Sequence, residues 1–256
     1  MTMKQVWTIV LNLFGPVATV IAVLAIWKCI EQGWHIPRYL LPTPSEVYAA
    51  TVANVGALWR NTAATMEIIV FGFVVSVVVA VPLAFLIVTF HFFERLCYPL
   101  IIILQFIPKT IVAPLLLVWL GIGVLPKSAL VMLMTFFPIL LESISGFRLI
   151  DKRIFYITQS MGASRAEEFF FVRIPGAMPS IFAGMKTATV YAVTGAITAE
   201  FIGSNEGIGY MILQASGDLD MPLTLAAVIA SALLGVILSA AMLASEKLLM
   251  PWMEHR

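Results

Sequence analysis

Charge is what this sequence has least of. Asp, Glu, Lys and Arg make up 11% of its 256 residues, while 61% are apolar. A soluble domain carries about 25% charged residues, so a compact soluble fold of this length would lack the polar surface to stay dispersed. The mean hydropathy of +1.00 points the same way. A net charge of +1 leaves no basic excess for a nucleic-acid surface. No Gly-Lys dipeptide occurs, so the chain has no phosphate-binding Walker loop of its own. HExxH, CxxC and GxSxG are also missing, and His35, His91 and His255 have no second metal-type ligand at useful spacing. No catalytic residue, metal or cofactor is expected.

What the chain does have is long apolar stretches. About 20 mostly apolar residues cross a hydrocarbon core, and six stretches qualify: 7–27, 66–90, 97–120, 128–147, 181–203 and 222–244. The first is too long for a signal peptide and no small-residue cleavage pattern follows it. Long spans without alternating polarity exclude an outer-membrane barrel. The expected fold is therefore an all-α, multi-pass membrane protein. With the N-terminus in the cytoplasm, the inner segments collect Lys4, Arg95, Arg148, Lys152, Arg153, Arg165, Arg173, Lys247 and Arg256. The outer ones hold only Lys28, Arg38, Arg60 and Lys127, so both termini are expected inside. Cys29 and Cys97 then lie at opposite faces of the membrane, and no disulfide joins them.

Two connecting segments are long enough to have structure. In 28–65, Thr43 and Glu46 form a capping box with Pro44 at the first helical position, which predicts an interfacial helix on the outer surface. The segment 148–180 holds five of the fifteen basic residues. There the spacing of Ile154, Ile157 and Met161 predicts a short helix ended by Gly162. Ser164 and Glu167 cap a second helix expected to run to Arg173, with Pro175 ending it. This is either an amphipathic connector or a surface offered to a soluble partner.

The run Gly162-Ala163-Ser164, followed by Val172, Ile174 and Pro175, resembles the cytoplasmic EAA loop of permease subunits in bacterial ABC importers. The similarity covers nearly the whole chain. Leu41 to Val47, Pro108-Lys109-Thr110 to Pro114, Trp119 to Gly123, Ala199-Glu200-Phe201, Gly207 to Tyr210 and Pro251-Trp252 all resemble the nitrate/sulfonate/taurine branch. One departure is plain: Tyr156, Ile157 and Thr158 stand where the loop's name has Glu-Ala-Ala. The resemblance implies an inner-membrane homodimer docked through this loop to two copies of an ABC ATPase. ATP would be bound by that partner, and solute received from an extracytoplasmic binding protein. It divides the chain into an N-terminal span and interfacial helix (1–60), a permease domain (61–246) and a cytoplasmic tail (247–256). The loop residues carried over are Tyr156, Ile157, Thr158, Gly162, Ala163, Ser164, Glu167, Ile174 and Pro175.

Candidates for the path come from the spans. Thr187, Tyr191, Thr194 and Thr198 place four hydroxyls on one stripe of the fifth span. They line a translocation path or bond between helices. Lys109, midway along the third span between Pro108 and Pro114, bonds carbonyls freed by the prolines or lies near an anionic substrate. Glu142 and Glu200 are expected to anchor at the interfaces. Ala227, Ser231, Gly235 and Ser239 form a ladder of small residues for close packing. Gly207, Gly209 and Tyr210 form a flexible loop or a tight re-entrant turn, which the resemblance implies is an external gate or a docking surface for the binding protein. The alternative function, an ion-coupled secondary transporter, would carry paired mid-membrane carboxylates or His and an inverted repeat, and neither is visible.

Overall fold

The computed structural model describes residues 18–19, 21–30, 33, 37 and 40–251. Most of the first expected span, together with His35, Arg38, Trp252 and His255, lies outside the described residues. Every regular element among the described residues is helical. In chain order they are α1 (Ile21–Ile30), α2 (Pro44–Ala53), α3 (Val55–Thr89), α4 (His91–Phe106), α5 (Lys109–Leu120) and α6 (Val124–Arg148). There follow α7 (Lys152–Ser160), α8 (Arg165–Glu168), a wide π turn (Phe169–Arg173), α9 (Ile174–Gly203), α10 (Ile208–Gly217) and α11 (Met221–Leu249).

Helices α3, α6 and α11 are each long and apolar enough to cross a membrane, and α4 with α5 makes a fourth span if the bent pair is one. At 30 residues α9 has the length but not the hydropathy, because Lys186, Glu200 and its threonines interrupt it. The expected third span is thus not one helix. Its two halves meet at a 98° bend. Pro108 supplies no N–H and pushes Ile107 into extended backbone at φ −73, ψ 119, so the ladder stops there.

The chain divides into two compact units. In the first, residues up to Leu58 with Met211–Ile229, the Trp27 indole N–H donates to the Pro42 carbonyl at 3.1 Å. The capping box that opens α2 is present: Thr43 Oγ1 accepts from the Glu46 N–H, and the Glu46 carboxylate accepts from the Thr43 N–H at 2.9 Å. Asn54 closes α2, and its amide donates to the Ala50 carbonyl.

The second unit, Trp59–Tyr210 with Ala230–Arg256, contains the main core. Ala80, Ala84 and Ile87 of α3 pack with Ile139, Leu140 and Ile144 of α6 and with Ala177 and Ala188 of α9. Helices α6 and α9 approach closely because glycines sit at the contact. A Cβ on Gly184 would lie 2.8 Å from Glu142 Cβ, and one on Gly195 would lie 2.9 Å from the Met134 sulfur. Ser76 of α3 adds a buried polar tie, donating to the Met132 carbonyl at 2.8 Å and pairing with the Thr135 hydroxyl.

Candidate functional site

The segment between α6 and α9 folds as a capped unit. Asp151 caps α7 by accepting from the Arg153 N–H at 2.9 Å. At the far end the Gly162 N–H reaches the Gln159 carbonyl and the Ala163 N–H reaches the Thr158 carbonyl, both at 3.0 Å. This is the Schellman pattern, and it requires Gly162 at φ +80. The Ser164–Glu167 box follows as expected: Ser164 Oγ accepts from the Glu167 N–H, and the Glu167 carboxylate accepts from the Ser164 N–H at 2.8 Å. Those bonds hold the Glu167 carboxyl below the usual carboxylate range.

Two sequence expectations fail just beyond it. The second helix stops at Glu168 and opens into the π turn, and Pro175 ends nothing. It sits in the first turn of α9, where a missing N–H is no loss.

The π turn brings together a clamp that sequence spacing does not reveal. Arg173 donates from Nε and Nη2 to Glu168 Oε1 at 2.9 and 2.7 Å. Its guanidinium also lies over the Phe155 ring of α7 at 4.6 Å and the Phe85 ring of α3 at 5.8 Å. Glu168 is buried, and its hydrogen bond from Arg173 pulls its carboxyl below the ordinary range. The clamp joins α7, α8 and the end of α3. The outer face of α7 stays uncovered: Tyr156 is 73% exposed, Ile157 58% and Met161 80%. Thr158 turns its hydroxyl to the Phe155 carbonyl of its own helix. Ile174 is half-buried against the core.

A second feature lies halfway along α6 and α9. A recess of about 350 Å3 is lined by Gln105, Lys109, Phe137, Glu142, Thr187 and Tyr191, among others. Lys109 is the first residue of α5, just past the break in the third span. Its ammonium donates to the Gln105 carbonyl at 2.7 Å, and the Phe137 ring lies 5.1 Å away. That carbonyl belongs to the last turn of α4, which has no backbone donor beyond the break.

The hydroxyl stripe is divided by its surroundings. Thr187 and Tyr191 line the recess, whereas Thr194 lines a separate groove of about 630 Å3 between α9 and α11. Thr187, Thr194 and Thr198 donate to carbonyls four residues earlier in their own helix, so their hydroxyls do not tie α9 to another helix. The small residues Ser231, Gly235 and Ser239 border that same groove. A Cβ on Gly235 would stand 3.8 Å from Val193, an ordinary contact, so the ladder lines a groove instead of sealing a seam.

Glu200 is not an interface anchor. It is 1% exposed and accepts from Thr65 Oγ1 at 2.7 Å and from the Gly209 N–H at 2.6 Å. The Thr65 hydroxyl accepts from the Ile208 N–H, and Asn61 accepts from the Gly207 N–H, each at 2.8 Å. The expected gate glycines are thereby ordered on α3 and α9, and Tyr210 lies in α10. Lys127, also buried, donates to Ser204 at 3.0 Å. Sequence reading passed over Lys186, which pairs with Glu246 at 2.8 Å across sixty residues of chain.

The family described as "binding-protein-dependent transport system inner membrane component" matches residues 72–255. The chain is 30% identical over 238 residues to the formylaminopyrimidine transport permease protein ThiX of Halalkalibacterium halodurans, covering 93% of this chain and 95% of that one. It is 32% identical to the putative aliphatic sulfonates transport permease protein SsuC of Escherichia coli, covering 91% and 89%. Identity to the taurine transport system permease protein TauC of the same organism is 25%, over 98% and 94%. Spanning α3 to the end of α11, the match shows that the chain belongs to the ABC importer permeases, multi-pass membrane transport components, in their nitrate/sulfonate/taurine branch.

Proposed function

We propose that the chain is the membrane subunit of an ATP-driven importer in a bacterial inner membrane. It acts as a homodimer with two copies of an ABC ATPase and an extracytoplasmic solute-binding protein. In this reading it spans the membrane six times with both termini in the cytoplasm, and residues 61–246 form the permease domain. It binds no cofactor and catalyses no reaction, because ATP is held and hydrolysed by the partner chain. Its solute is small and polar or anionic, nitrate-, sulfonate-, taurine- or pyrimidine-like; formylaminopyrimidine, taurine and aliphatic sulfonates are named for its relatives.

The supporting observation is α7. It is a short helix capped at both ends, clamped through Phe155 to Arg173, and it carries uncovered Tyr156, Ile157 and Met161. A rigid element docked to a moving ATPase turns its displacement into a tilt of α6 and α9. Lys109, Thr187, Tyr191, Thr194 and Thr198 then border the path, and the turn at Gly207, Gly209 and Tyr210 forms its outer gate.

The test is solute uptake by proteoliposomes holding the permease with its ATPase and binding protein. Uptake requires ATP. Gly162→Val, which puts a β-branched residue at φ +80, lowers it about five- to thirtyfold, since left-handed backbone costs about 1–2 kcal/mol, while the protein still reaches the membrane. Full uptake by the variant would overturn the coupling role of the loop.

A further inference from the structure

The chain's interior ions mostly have partners. Lys186 pairs with Glu246, Arg173 with Glu168, and Glu200 and Lys127 are hydrogen-bonded. The recess at the α4–α5 break differs. Lys109 lends one of its three N–H donors to the Gln105 carbonyl and meets no carboxylate of a described residue within ion-pair distance. On the other wall, Glu142 and the Tyr191 phenol hydrogen-bond to no other described residue. A cation and an anion thus line one recess without pairing with each other. Glu142 is exposed and Lys109 half-buried, so both charges are open to what enters the recess, and an ionisable residue within a span is a functional candidate by default.

We propose that this recess is a solute subsite of the permease itself, and that it takes a small zwitterion. The anionic end of the solute would accept from the Lys109 ammonium, the cationic end would meet the Glu142 carboxylate, and Phe137 and Tyr191 would flank the short frame between. The choice of class follows from exclusion as much as attraction. A plain anion is repelled by Glu142 and a plain cation by Lys109, whereas a solute with both ends satisfies both walls. The volume of about 350 Å3 admits a solute of a few heavy atoms beside the side chains. This inference rests on the permease reading above and narrows its substrate class.

The experiment uses the permease–ATPase complex in lipid nanodiscs without the binding protein, so that only the membrane subunit can hold solute. Labelled taurine serves as the zwitterionic probe in equilibrium dialysis. Isethionate, ethylamine and 4-aminopyrimidine compete as its anionic, cationic and heteroaromatic counterparts. Taurine is expected to bind at least tenfold more tightly than each competitor. Glu142→Gln should remove the penalty on the anion, bringing isethionate level with taurine, and Lys109→Gln should do the same for ethylamine. These reversals separate recognition from misfolding, because each variant gains a ligand.

Absence of taurine binding, equal binding of isethionate to the unmodified complex, tighter binding of 4-aminopyrimidine, or ratios unmoved by either substitution would overturn the proposal. ATP hydrolysis is measured on the same nanodiscs, and ATP-driven uptake on proteoliposomes that hold the same complex together with the binding protein. Their loss in the unmodified complex would count against the importer reading, whereas their persistence with failed ratios would count against the zwitterion subsite alone.

Discussion

Gly207 shows how narrowly one position can be specified. Its φ of +108 already disfavours a side chain, and a Cβ there would run into the carboxylate of Glu200. That carboxylate in turn depends on the Thr65 hydroxyl, which donates to it while accepting from the Ile208 N–H. Thr65→Val therefore strands a buried acceptor and a buried donor together. The loss of stability is expected to be about 2–3 kcal/mol, the penalty for leaving buried polar groups unsatisfied. Thr65→Ser keeps both bonds and costs well under half of that. Thermal unfolding of the detergent-purified protein checks the pair, and equal losses for Val and Ser would show that the network adds nothing. None of this is legible from Glu200 alone, because its partner is 135 residues away in sequence. A carboxylate near the end of an apolar stretch looks the same whether it snorkels to water or is buried.

At the scale of elements, the 148–180 segment divides into what local chemistry decides and what contact decides. The two capping groups and the Gly162 turn follow from a handful of neighbouring residues, which is why spacing predicts them. The π turn and its Arg173 clamp need Phe85 of α3 and Phe155 of α7 in place, and no local pattern announces them. The clamp carries a pH dependence whose sign is set by Glu168. Its carboxyl titrates below the ordinary carboxylate value, chiefly through the hydrogen bond from Arg173. The stabilisation is therefore complete above that value and fades as pH falls through the depressed one. Backbone hydrogen exchange in α7 should be unchanged between pH 7 and 5 after correction for intrinsic rates, and should accelerate in more acidic buffer. Glu168→Gln should raise exchange at pH 7 and remove the acid dependence. The α4–α5 bend obeys the same division. Pro108 interrupts the ladder where one continuous span was expected, and the 98° angle depends on what the two halves pack against.

For the whole molecule, the distribution of Lys and Arg predicts an orientation that the helices alone do not state. With both termini in the cytoplasm, a fluorescent protein fused after Arg256 should fluoresce and alkaline phosphatase fused there should be inactive. Phosphatase inserted after Asp218, in the stretch that carries Asp218 and Asp220 and no basic residue, should be active. The reverse pattern would invert the topology and place α7 on the wrong side for a cytosolic ATPase. The proposed path would also be a property of the assembled whole. The threonine hydroxyls of the stripe are spent on their own helix, so the stripe offers oxygen surface to a recess and a groove without holding helices together.

Composition and order along the chain determined the solvent, the helical class and the short-range devices that begin and end helices. Each depends on residues within a few positions of one another, and free energies of that range are written in the sequence directly. Tertiary structure alone decided which ions meet. It joined Lys186 to Glu246, buried Glu200 under Gly207, and left Lys109 and Glu142 lining one recess unpaired. A charge inside a membrane protein is stabilised or exposed by groups brought from distant helices, and only the packing of those helices determines which.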